Sequence, residues 1–463
     1  MKYRLKSTFA VLGLGVLTAC APTLKTGQIT RISPTAISLP AMKSPAGAPA
    51  PAPTRSNQSI ARDFILLAFQ LETGRELPVL SRFEGPITLR VTGLATGPAT
   101  QRDLDQLIAR LRAEGRVPIT QTSANTPANI NVEFIPQKTL SRAVPQAACF
   151  VAPGVTSWAE FTSRRSTSTR DWAKLTTRTQ VAIFIPGDTS AQEIRDCLHE
   201  EIAQALGPVN DLYHLTDSIF NDDNFHTVLT GFDMVILRAF YDADLRSGMT
   251  REAVAARLPA ILARINPRGR SGALSNVSAT PQSWTNDIEA ALGGRGIGSK
   301  QLAAAKRAVR TARGQGWNDN RLGFSLYAQG RLALAHDSAL ALASFAEAET
   351  IFRSDPSTRL HAAHVAVQAA AYALSSGRPN AAIEIADENS SVALKAENPN
   401  LLSTLLMIKA AALDALGKSS EATIVRLDSL GWARYGLGSE AEILDRLAEI
   451  TALAPRPKRN PAP

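Results

Sequence analysis

The stretch Cys197–Met249, CLHEEIAQALGPVNDLYHLTDSIFNDDNFHTVLTGFDMVILRAFYDADLRSGM, decides how the first half of this 463-residue chain is read. It opens as a helix that begins near Thr189 and ends at Gly207. Residues four apart share a helix face, so Glu200 and Gln204 can address one object, with Glu201 beside the first. Asn210 follows three residues after the terminating glycine. These side chains donate oxygen or amide groups, which suit hard cations such as calcium or magnesium better than zinc. A register starting at His199 is poorer, because its i+4 position is Ala203, which binds nothing.

The register starting at Glu200 resembles the metal-binding helix of metzincin-type zinc peptidases. By that resemblance Glu200 stands in the first-ligand place, Glu201 in the catalytic-base place, Gln204 in the second-ligand place and Asn210 in the third. Gly207 ends the helix as in that family. Ser218-Ile219-Phe220 falls at the methionine turn, with phenylalanine in place of methionine, and Leu229–Tyr241 resembles the closing helix of matrixin-like enzymes. The likeness departs at every metal ligand. A second resemblance rests on the blocks IARDFILLAF, RFEGPITLRV, VPQAACFVAP, RDCLHEEIAQALGPVNDLY, DSIFNDDNFHTVLTGFDM and LRSGMTREAV. Together they are similar to the DUF2927 family of bacterial lipoproteins over about residues 58–270, a likeness that implies an envelope location and no particular chemistry.

Three uses of the helix stay open: a hydrogen-bonded polar cluster on an inherited scaffold, a ligand or metal site without proteolysis, and hydrolysis with Glu201 as general base. No cofactor is expected beyond an unknown metal at that site. His199, His214 and His226 are spaced 15 and 12 apart and match no compact motif. The NDDN run at 221–224 lacks the glycine and distal glutamate of an EF-hand, and reads as a turn. There is no Walker loop, dinucleotide fingerprint or GxSxG elbow, and GRGIG at 294–298 reads as a hinge.

Residues 1–19 have the pattern of a signal peptide: Lys2, Arg4 and Lys6, then the apolar run FAVLGLGVL. The run is shorter than the ~20 residues a membrane span needs. Leu17-Thr18-Ala19-Cys20 resembles the bacterial lipoprotein box, which implies lipid on Cys20 and a periplasm-facing anchor. Ala21 after the cysteine points to the outer membrane. The remaining cysteines, Cys149 and Cys197, are disulfide candidates in an oxidising compartment; two buried thiols are the alternative. The formal charge of +9 includes the three leader cations, and no basic run carries interleaved aromatics, which argues against nucleic acid as a partner.

Residues 20–57 are Pro- and Ala-rich and read as a disordered tether. Helical and strand patterns then alternate: IARDFILLAFQLE, ITLRVTGL, DLDQLIARLRAEG, ANINVEFIP and VAIFIPG. After about Gly294 only helical patterns remain. The turns LAHDSALA, LSSGRPNAA and LGKSSEA put Ala341, Ala382 and Ala422 in register at spacings of 41 and 40. Ala341, Phe345 and Ala348 resemble the packing face of a tetratricopeptide-like helix pair, and Pro356 and Pro399 close the first two repeats. The expected architecture is an α+β zincin-like N-terminal domain over 58–290, an all-α tetratricopeptide-like helical-repeat domain over 295–452, and a disordered tail over 453–463. The expected role is an envelope-anchored scaffold that meets the membrane through Cys20 and a protein partner through the repeats. A metal-dependent peptidase or hydrolase with a non-standard ligand set is the alternative.

Overall fold

The computed structural model describes residues 39–455, except 164–169, 273, 275–276 and 294–297. The signal peptide, Cys20 and most of the GRGIG segment therefore lie outside the described residues. The first part of the chain runs α1 (Asn57–Phe69), β1 (Ile87–Gly93), α2 (Pro98–Ala113), β2 (Ile119–Gln121), β3 (Ile130–Ile135), α3 (Gln137–Ala143), β4 (Phe150–Pro153), α4 (Trp158–Thr162), β5 (Val181–Pro186), α5 (Ala191–Leu206), α6 (Gly231–Phe240), α7 (Arg251–Ala255) and α8 (Leu258–Ile265). The second part is helical: α9 (Gln282–Leu292), α10 (Gly298–Gly314), α11 (Asn320–Ala333), α12 (Ser338–Ser354), α13 (Arg359–Ser375), α14 (Pro379–Lys395), α15 (Pro399–Ala415), α16 (Ser419–Gly436) and α17 (Glu440–Thr451).

The five strands form one sheet in the order β2-β1-β3-β5-β4. All neighbours are parallel except the edge strand β4, which runs antiparallel to β5 with Phe150 opposite Phe184. A parallel strand covered on both faces reads as a continuous apolar run, and VAIFIP in β5 is buried at every position. Its side chains alternate. Val181, Ile183 and Ile185 enter the main core with α1, α2, α5, α6 and α8. Ala182 and Phe184 enter a smaller core with Leu140 and Phe150, against which Trp158 and Phe161 pack. The short strands β2 and β4 carry too few residues to show a period in the sequence.

The helices of the second part pack as successive antiparallel neighbours joined by short turns, around a core of their own. Ala341, Ala382 and Ala422 are each fully buried, near the starts of α12, α14 and α16. Pro356 opens a short 3₁₀ turn after α12, and Pro399 begins α15. Helix α9, expected inside the first domain, instead packs through Trp284 and Ile288 into the helical core, so the boundary falls before Gln282. At the other end Leu453 and Ala454 lean on the same core; of the expected tail, 456–463 lies outside the described residues.

The two parts are docked. Tyr213 and Phe225, from the loop between α5 and α6, enter the helical core. Tyr213 meets Trp284 edge-on at 4.9 Å between ring centroids, and Phe225 touches Phe324, Tyr327 and Phe352. Polar ties add direction: Arg195 pairs with Glu397, Gln192 bonds Asn398, Tyr435 donates to Asp103 at 2.7 Å, and Asn320 donates to the Tyr213 carbonyl at 2.6 Å. Part of the expected tether is also built in. Residues 39–56 run extended over both parts: the Lys43 amide donates to Gly431, Arg434 to the Pro40 carbonyl, and the Ala48 amide to Glu397. The strap passes so close to α6 that a Cβ on Gly231 would lie 1.9 Å from the Pro51 carbonyl oxygen. Among the described residues no helix is long and apolar enough to cross a membrane.

Candidate functional site

Helix α5 is fixed at both ends by side chains. Ser190 and Glu193 form a capping box at its N-terminus. At its C-terminus the buried Arg178 donates to the carbonyls of Gln204, Ala205 and Gly207 at 2.6, 2.7 and 2.5 Å, and its guanidinium lies 4.7 Å from the centre of the Trp172 ring. A cation here meets the negative end of the helix dipole and satisfies carbonyls that have no partner within the helix. Burial lowers the Arg178 pKa to about 10, so it stays charged at neutral pH. Gly207 ends the helix with its α-carbon against the Phe240 ring, where an added Cβ would sit 2.8 Å from ring carbons.

The four residues singled out from spacing do not act together. Glu201 is 1% exposed, and among the described residues neither of its carboxylate oxygens has a hydrogen-bond partner. Burial, followed by the nearby Asp211 charge, raises its pKa to about 8, with the Val151 backbone as a weak opposing influence. Glu200 is half-buried and also raised well above the usual carboxylate range, by burial first and then by Glu201 and Asp211. Gln204 donates to Asp211 at 3.3 Å. Asn210 turns to the other side and donates to the Leu66 carbonyl at the end of α1, at 3.1 Å. Asp211, raised to about 7 chiefly by burial, thus occupies the place beside Gln204 that spacing gave to Asn210.

These donors do not fit zinc. Both amide side chains are engaged in bonds within the protein, no imidazole shares the face, and His199 accepts a hydrogen bond from the Leu229 amide at 3.0 Å. Burial holds His199 well below its ordinary pKa, so it is neutral. Among the described residues no three His, Cys, Asp or Glu side chains gather closely enough to hold a metal ion.

The turn after α5 is built on one carboxylate. Asp233, in the first turn of α6, accepts from the Ser218 hydroxyl at 2.5 Å, the Ile219 amide at 3.1 Å and the Thr230 amide at 2.7 Å. Ser218 in turn accepts from the Phe220 amide, and Phe220 is fully buried. The NDDN run is a turn of the expected kind, with Asn221 and Asp223 accepting from nearby amides, but Asp223 does more. It contacts His361 of α13 at 3.0 Å, across the boundary between the two parts. His214 likewise meets the fully buried Asp63 at 3.0 Å. Burial pushes Asp63 upward, but His214, Arg62 and Arg55 outweigh it and hold its carboxyl below the usual range. Sequence reasoning missed Arg178, Asp63 and the Asp223–His361 contact. Each depends on a neighbour distant in sequence, so no local spacing announces it.

Between the two parts lies a cavity of about 400 Å³. Its floor includes the Cys149–Cys197 disulfide, which ties the start of β4 to α5 across 48 residues. Glu193, Asp196 and Glu200 of α5 face it, and α11 and α13 contribute Tyr327, Arg331 and His364. Of the four residues singled out from spacing, only Glu200 lines this cavity.

The same segment carries the comparison with known proteins. Residues 57–260 match the family model described as protein of unknown function (DUF2927). The matched segment runs from α1 into α8 and holds the sheet, α5 and the Asp233 turn. The helices from α9 onward lie outside it. No curated protein and no solved structure matches the chain.

Proposed function

We propose that the chain is an envelope-anchored lipoprotein acting as a protein-binding scaffold, with a DUF2927 domain of zincin-like ancestry that does not hydrolyse peptides. The observation that carries this reading is the state of α5. Its general-base candidate Glu201 is sealed from the cavity, and its second- and third-ligand candidates are spent on Asp211 and on the Leu66 carbonyl. A base must reach the proton it removes, directly or through one water. Helix position, the stop at Gly207 and the Ser218–Phe220 turn braced by Asp233 support the ancestry; the ligand set argues for loss of the chemistry.

The tetratricopeptide-like reading of the second part draws support from the in-register buried alanines and from the paired helices. Solenoids of this kind present extended binding surfaces. Leu394 on α14 and Ile424 and Leu427 on α16, all well exposed, offer apolar contact on the second helices of successive pairs. The anchor rests on the Leu17–Cys20 box and the leader before it.

Complementation of a deletion strain tests the reading. Glu201→Gln is expected to restore the wild-type envelope phenotype in full, while Cys20→Ser is expected to fail through loss of anchoring. A Glu201→Gln chain as defective as the deletion, despite normal abundance, would establish hydrolysis instead.

A further inference from the structure

The inter-part cavity takes chemically distinct groups from the two parts of the chain, and the scaffold reading leaves them unused. From the first part, α5 presents Asp196 and Glu200. Among the described residues Oδ1 of Asp196 is buried without a hydrogen bond, and so is Oγ1 of Thr227, whose residue is only 8% exposed. Thr227 lies close enough to ease the charge on Asp196 without completing a bond. From the helical part, the Arg331 guanidinium lies 5.6 Å from the centre of the Tyr327 ring. Among the described residues Arg331 has no ion pair, and Nε2 of the neighbouring His364 is buried and unbonded. Buried polar atoms without partners carry a free-energy penalty that a ligand or water removes. The lining is otherwise largely apolar, with Leu140, Phe324, Val367 and Leu401.

This arrangement discriminates among ligands. The carboxylates do not converge on one point as a metal centre requires. They line a wall, which suits a protonated amine able to donate to more than one oxygen. The volume is that of a small-molecule site. The Arg331 guanidinium, without an ion pair among the described residues, suits a carboxylate or phosphate. We propose that the cavity binds a small amphoteric molecule, its protonated amine against Asp196 and Glu200, its anionic group at Arg331, and a short hydrocarbon body between them. This holds whether or not the outer faces of the helices bind a protein.

Proton linkage gives the site a signature. Asp196 and Glu200 feel Glu193, Arg195 and Glu201 on their own helix and Asp211 and Asp222 from the loop after it, while Asp223, His226, Arg331 and His364 line the same cavity. Burial raises Asp196 to about 8 in spite of Arg195. An ammonium group favours the ionised carboxylate, so binding releases protons and strengthens as pH rises from 6 to 8.

The test is calorimetric titration of the full chain with ω-amino acids from 4-aminobutanoate to 8-aminooctanoate, alongside hexylammonium and hexanoate at equal ionic strength. At least one ω-amino acid is expected to bind tenfold or more tightly than either one-ended probe, with an apparent affinity severalfold higher at pH 8 than at pH 6. Arg331→Ala, at a half-buried position outside both cores, is expected to reduce that ligand to the level of hexylammonium, and Asp196→Asn to the level of hexanoate. The absence of saturable binding across the series, or binding unchanged in folded Arg331→Ala protein, would overturn the proposal. The arginine variant decides the matter even if the aspartate variant does not fold.

Discussion

Replacing Glu201 by glutamine should make the pH dependence of stability in the first part of the chain shallower. In the folded protein burial and Asp211 raise this carboxyl from 4.5 to about 8. Below the unfolded value both states are protonated and the group contributes nothing. Between 4.5 and 8 the unfolded chain releases a proton that the folded chain keeps, so stability falls as pH rises, and above 8 the loss levels off. The full difference corresponds to about 5 kcal/mol at 1.36 kcal/mol per pH unit. Glu200 and Asp211 share the same local repulsion, so a single substitution recovers roughly half, about 2–3 kcal/mol. At pH 5 the balance reverses. The protonated acid is already neutral, and the second buried N–H of the amide costs about 1 kcal/mol. Thermal unfolding by circular dichroism from pH 5 to 9 should therefore give crossing profiles. The variant should melt a few degrees lower at pH 5 and roughly 5–10 °C higher at pH 8.5, at about 2–4 °C per kcal/mol for a part of this size. Asp63, whose pKa is lowered, loses its stabilising contribution only at more acid pH and leaves this window clear. Parallel profiles for the two proteins would refute the reasoning.

Arg178→Met should remove three charge-assisted bonds from the end of α5 and leave three buried carbonyls unsatisfied, at a cost of about 3–5 kcal/mol by chemical denaturation. Arg178→Lys should recover only part, since one ammonium cannot copy the guanidinium fork. Cys149→Ser with Cys197→Ser opens a loop closed across 48 residues and should destabilise by roughly 2–5 kcal/mol, a loss that reductant reproduces in the wild type. Phe225→Ala removes an aromatic anchor shared by the two parts, and should lower the midpoint by an amount matching about 3–5 kcal/mol and split one calorimetric transition into two.

Which features could be read in the sequence follows from how locally each is encoded. The six apolar residues of β5 and the periodic helices α1, α2 and α5 announce themselves because burial on a face repeats along a few turns or pleats. The three-residue β2 and the four-residue β4 do not, because neither spans enough pleats to show alternation. The spacing argument at α5 correctly put Glu200 and Gln204 on one helix, yet helix periodicity says nothing about the chain beyond Gly207. There Asn210 turned to Leu66, and Asp211 took the place beside Gln204. The Pro- and Ala-rich composition of residues 39–56 suggested a free tether, but its backbone amides find Gly431 and Glu397 on the far side of the molecule. Likewise α9 carries no mark of its allegiance; Trp284 assigns it, by packing against Trp317 and donating to the Ser325 hydroxyl of α11.

The central claim is that this peptidase-like helix has lost its metal chemistry, and zinc stoichiometry tests it most directly. Full-length protein equilibrated with excess zinc and then desalted should carry well under one zinc per chain by elemental analysis, with no difference between wild type and Glu200→Gln. One zinc per chain in the wild type, lost on that substitution, would contradict the account.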